Sequence, residues 1–202
     1  MNLQKSKYSK RGRPAAWVSL IAAVLAMAAA FFGGAGVSSA EPAASAAGPF
    51  FQLRPAHAST KCLDVRNNDG GTANGTPIQL FDCLGAGQTN QVWQAVAVGG
   101  GFFQLRPAHA PTKCLDVRNN NGGTANGTPI QLFDCLGTGQ ANQLWRSVQI
   151  TPILFQLRPM HAQTKCLDVR NNDGGTANGT PIQLFDCLGS GQTNQQWRIV
   201  TV

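Results

Sequence analysis

Two short runs in the chain alternate between apolar and polar positions with period two. In C-L-D-V (62–65), Leu63 and Val65 point one way while Cys62 and Asp64 point the other. In P-I-Q-L-F-D-C (77–83), Ile78 and Leu80 oppose Gln79, Phe81 and Cys83. N-N-D-G-G-T-A-N-G-T lies between them, rich in residues that make turns, so the pattern predicts a β-hairpin with a long loop. F-Q-L-R ahead of it and a segment opening at the Trp (92–98) complete four predicted strands. No amphipathic helical period of useful length occurs, and the expected class is all-β.

This unit recurs three times at a spacing of 52 residues, as Phe51–Gln94, Phe103–Arg146 and Phe155–Arg198. The first and second copies differ at 6 of 44 positions, the first and third at 5. Eight-residue connectors join them. One unit is too small to bury its apolar face alone, so the three must share a core. Closure around a threefold axis removes sheet edges and is the better expectation than an open stack.

The six cysteines allow 15 pairings, of which threefold repetition makes Cys62–Cys83, Cys114–Cys135 and Cys166–Cys187 the simplest. If Cys62 sits opposite Cys83, Asp64 faces Phe81 on the side of the sheet turned from the core. A carboxylate beside an aromatic ring there does little for stability. It suits a ligand with hydroxyls on one edge and C–H on one face, which is the chemistry of a sugar. The competing readings are a cap on the N-N-D-G-G turn for Asp64 and a small outer apolar cluster for Phe81. The cysteines lack the C-x-x-C spacing of a zinc site, and no metal or cofactor is expected. D-V-R-N-N-D-G-G departs from a calcium loop at its third position. His57, His109 and His161 read as surface turn residues, Lys61 and Arg66 as solvated charges, and N-G-T (74–76 and its copies) as turns.

C-L-D-V, I-Q-L-F-D-C and N-Q-x-W, in that order and spacing, resemble the ricin B-type (Q-x-W repeat) lectin domain over 51–202. The resemblance implies a β-trefoil and a shallow sugar pocket on each repeat, where an Asp takes hydroxyl hydrogen bonds and a ring stacks on the sugar. The first pocket would use Asp64, Gln79, Phe81, Asn90 and Gln91, the last orienting Asp64. The second would use Asp116, Gln131, Phe133, Asn142 and Gln143. The third would use Asp168, Gln183, Phe185, Asn194 and Gln195. Leu84, Leu136 and Leu188 stand where the xylan-binding branch often has a polar partner.

Charge and targeting then narrow the function. Residues 1–40 combine a basic start (Lys5, Lys7, Lys10, Arg11, Arg13), an apolar run from Ala15 to Phe32 and a small-residue site at Ser38 and Ala40. They read as a bacterial, actinomycete-like signal peptide cut after Ala40, or after Ala46, followed by a linker over 41–50. Of 16 Lys and Arg, five leave with that segment while all nine Asp and Glu stay, so the net charge falls from +7 to +2. Nucleic-acid binding then lacks a concentrated basic surface. The expected protein is a secreted, monomeric, non-enzymatic lectin with no membrane anchor after cleavage, taking galactose- or xylose-type glycans. The alternative is a β-trefoil protein-interaction module or protease inhibitor. Catalysis is not expected, because Asp64 and Asp82 fall on opposite strand faces.

Overall fold

The computed structural model describes residues 47–66, 71–118, 123–170 and 175–202. The segment read as a signal peptide, residues 41–46 of the linker, and the N-N-D-G tips with the departed calcium pattern lie outside them. Twelve strands are present and no α-helix occurs among the described residues. The first copy contains β1 (Ala47–Pro55), β2 (Lys61–Val65), β3 (Thr76–Asp82) and β4 (Trp93–Gly99). The second contains β5 (Phe102–Pro107), β6 (Lys113–Val117), β7 (Thr128–Asp134) and β8 (Trp145–Gln149). The third contains β9 (Phe155–Pro159), β10 (Lys165–Val169), β11 (Thr180–Asp186) and β12 (Trp197–Thr201).

The outer strands of each copy close a six-stranded antiparallel barrel in the order β1, β12, β9, β8, β5, β4. The inner pairs β2–β3, β6–β7 and β10–β11 form three hairpins, and β3, β7 and β11 pair with one another. This is a β-trefoil, and the barrel leaves its six strands without a free edge. Two boundaries differ from the sequence expectation. The β1 strand reaches back to Ala47, so the last four residues of the expected linker are strand. The first connector is also largely strand, because β4 and β5 meet across a turn in which Gly99, Gly100 and Gly101 all take positive φ, whereas in the second only 147–149 are strand.

The alternation seen in the sequence selects the core. Leu63, Val65, Ile78 and Leu80 and their copies pack with Trp93, Trp145 and Trp197 in one cluster. Each indole fills the centre and donates its Nε1–H to the carbonyl of Leu63, Leu115 or Leu167 at 2.9–3.0 Å. The Q-x-W tryptophans are therefore core residues that also satisfy a buried backbone acceptor.

The three expected disulfides are present, with Cα separations of 5.1, 5.1 and 5.2 Å. The hairpin register is not the one they suggested. Cys62 lies opposite Phe81 and Asp64 opposite Gln79, a slide of two residues from the expected pairing. The reason is that Cys83 stands just beyond β3, where its N–H bonds to the carbonyl of Thr60, so the bridge joins strand ends diagonally. A slide of two preserves the face of every side chain, and the inside–outside pattern survives the correction.

Candidate sugar-binding site

Asp64 is on the outer face of β2, yet it is only 3% exposed, not open to solvent as expected. A 3₁₀ turn, Thr89–Gln91, folds over it and supplies two of its partners. Gln79 Nε2 donates to Asp64 Oδ1 at 2.8 Å. Asn90 Nδ2 and Gln91 Nε2 donate to Oδ2 at 2.8 and 3.0 Å. The same bonds recur around Asp116 and Asp168, with Gln131, Asn142 and Gln143, and with Gln183, Asn194 and Gln195. The polar residues expected from the family pattern thus come together three times.

The roles differ from those expected. A carboxylate offers about four lone-pair directions, and three are already filled by amides. Asp64 can accept one further hydroxyl, at Oδ1. Asn90 spends both N–H groups, on Asp64 and on the carbonyl of Val65, so its own Oδ1 is what it can offer. Gln91, fully buried, also donates to the carbonyl of Asp82 and accepts from the N–H of Leu84. It holds the end of β3 against Asp64 and is a positioning residue.

Arg66, read from sequence as a solvated charge, donates from Nε to Gln79 Oε1 at 3.1 Å. That bond fixes the amide of Gln79 with its NH2 toward Asp64. Lys61 likewise is not free. It pairs with Asp82 at 2.6 Å, and Asn178 from the third copy's hairpin accepts from the same ammonium. Asn178 also bonds the N–H and Oδ2 of Asp82, and Asn74 and Asn126 repeat the arrangement on the next copy around the ring. The N-G-T turns therefore clamp neighbouring copies together.

The histidines are a further correction. His57, His109 and His161 are partly buried, and each Nε2 lies 3.0–3.1 Å from a glycine carbonyl of another copy, Gly175, Gly71 and Gly123. His109 is close enough to Asp64 to favour its ionised form. Desolvation is the larger influence and raises the Asp64 pKa, against the lowering effect of Gln79, Gln91, Asn90 and His109. Asp116 and Asp168 are raised for the same reasons. Sequence alone could not find this histidine, because it reaches the site from the following copy.

Phe81 is partly exposed on the same outer face, diagonal to Asp64 across the pair. Phe133 and Phe185 match it. Leu84, Leu136 and Leu188 follow the second cysteines and are 53–55% exposed. Each unit thus sets a ring and an apolar residue near two remaining oxygen acceptors and one spare amide N–H, on Gln79.

A family model described as the ricin-type beta-trefoil lectin domain matches residues 49–151 and again 101–201. The chain belongs to that family. Among solved structures, the designed threefold-symmetric protein ThreeFoil is 30% identical, with a TM-score of 0.64 over 76% of this chain and 99% of its own. A lectin of Polyporus squamosus bound to Neu5Acα2-6Galβ1-4GlcNAc is 19% identical, with a TM-score of 0.60 over 76% and 49%. The C-half of an earthworm R-type lectin in complex with GalNAc is 18% identical, with a TM-score of 0.53 over 77% and 100%. Some other similar structures are longer chains, of which this ricin-type domain spans as little as 17%. Among curated proteins, none matches.

Proposed function

We propose that this ricin-type trefoil is a secreted, monomeric, non-catalytic lectin with three equivalent, shallow sites for galactose-type sugars. The observation that carries the reading is the remaining hydrogen-bonding capacity beside Phe81. Asp64 Oδ1 accepts from one hydroxyl, Asn90 Oδ1 accepts from its neighbour, and the spare N–H of Gln79 donates back, while the ring covers a C–H face. Two lectins of the same fold, described above, were solved with ligands containing galactose or GalNAc, which favours the galactose type over xylose. Export by residues 1–40 belongs to the same proposal.

Each site is small, so a single sugar should bind at about millimolar to a few hundred micromolar. Three sites on one rigid body then bind polymers far more tightly through effective concentration. The Asp residues are unsuitable for testing this, since their removal disturbs a buried network. Phe81, Phe133 and Phe185 are better targets. The triple Phe→Ala protein should keep its circular dichroism and lose retention on a galactan column, while any one change leaves most retention. Undiminished retention by the folded triple variant would refute the assignment.

A further inference from the structure

The barrel carries a charge pattern that sugar binding does not use. Each copy places an arginine in F-Q-L-R: Arg54 in β1, Arg106 in β5 and Arg158 in β9. The residue across the sheet is the one that follows the core tryptophan of the adjoining strand. Arg54 therefore faces Arg198, and Arg158 faces Arg146, whereas Arg106 faces Gln94. Directly opposed side chains share a face with Cβ atoms about 5 Å apart, where like charges destabilise a sheet. A guanidinium does not escape by losing its proton.

Nothing among the described residues neutralises these pairs. The three ion pairs found there all join a lysine to an aspartate. The acceptors that do reach the arginines are neutral: Gln52 Oε1 for Arg54, Gln156 Oε1 and the Gln163 carbonyl for Arg158, and the Ser59 carbonyl for Arg198. The Nε atoms of all five barrel arginines, Arg54, Arg106, Arg146, Arg158 and Arg198, are buried without a partner, as are Nε2 of Gln104 and Gln156, so what sets the two junctions apart is the pairing of like charges. Each of the paired arginines is nevertheless partly exposed. Two partly exposed arginines at directly opposed strand positions, with no acidic partner, suit an acceptor that carries charge.

We propose that Arg54–Arg198 and Arg146–Arg158 are two binding sites for a doubly charged oxyanion, sulfate or phosphate, either free or as an ester. The planar forks match the oxygens of such a group. The third junction has one guanidinium and a neutral amide in Gln94, so it is the weak site. The chain therefore takes two such anions but three sugars, and this inference stands or falls separately from the lectin reading.

The test is a calorimetric titration of the full protein with sodium sulfate, and with sodium phosphate, at ionic strength fixed by sodium chloride. Two sites per chain are expected. R146Q and R198Q install the residue the first copy already has, and each should weaken its site about tenfold or more by removing charged donors. Q94R should raise the count from two to three. Thermal melts supply a second readout: sulfate should raise the midpoint of the parent and not of the R146Q/R198Q double variant. Retention on dextran sulfate but not dextran, lost in the double variant, would identify an ester as the source. Binding of free sulfate without such retention would identify the free ion. An equal response to sulfate in parent and double variant, or to chloride and sulfate alike, would overturn the proposal, as would a Q94R protein that gains no site.

Discussion

The hairpins and the barrel treat polar groups in opposite ways. Around Asp64, Asp116 and Asp168 three amides converge on each carboxylate, and the same residues occur in all three copies. Across the barrel junctions, arginine nitrogens are buried without partners, and the sequence varies from Gln94 to Arg146 and Arg198. A buried carboxylate tolerates few changes among its donors, because one lost partner leaves a charge uncompensated. A half-exposed barrel position is less constrained, so copies can diverge there and acquire different chemistry. Every residue of the interlocked network is identical in the three copies, whereas the junction position occupied by Gln94, Arg146 and Arg198 is not.

The contrast can be broken most severely at the network. Asp64→Asn keeps the shape but turns an NH2 donor toward amide donors that already converge there, and should cost about 3 kcal/mol or more. Urea unfolding would measure it, and a loss below about 1 kcal/mol would mean the amides readily find other partners. By comparison R146Q on the barrel should be neutral or stabilising when no oxyanion is present.

Opening one disulfide ranks next. The Cys62→Ser, Cys83→Ser protein loses a 21-residue link and should be destabilised by about 3 kcal/mol on the chain-entropy model. Equal losses for all three bridges are expected, since the hairpins are equivalent.

The smallest effect is on pH dependence, and it separates the two kinds of aspartate. Asp82, Asp134 and Asp186 have depressed pKa values, through their Lys61, Lys113 and Lys165 partners first and the clamping asparagines second. Their contribution is present above the unfolded value near 4 and is lost only as pH falls through the depressed folded values. Asp64 and its copies are raised, so the native protein takes up these protons before the unfolded chain does. Their protonation does not cost native stability as pH falls toward 4, but it removes the charged acceptor from the sugar site. Galactan binding should therefore fade on acidification while circular dichroism is unchanged. Loss of both together would show that folding holds the buried carboxylates below their unfolded values, not above them.

Period-two alternation, a 52-residue repeat and the cysteine spacing were enough to determine the strands, their inner faces, a closed threefold assembly and the three bridges, and the resemblance to the ricin B-type domain made that assembly a β-trefoil. Those features depend on neighbours along the chain, and a face is preserved even when register slides by two. Asp64 with Gln79, Asn90 and Gln91 was legible as a group through the family resemblance, all four lying in one copy. What each atom was free to do was not, since burial of Asp64 depends on how the 3₁₀ turn folds back. Contacts between copies lay beyond sequence altogether: His109 beside Asp64, Asn178 on Lys61 and Asp82, and Arg54 opposite Arg198. Closure of the barrel brings the first strand against the last, and that proximity exists only once three separate copies have packed around a common core.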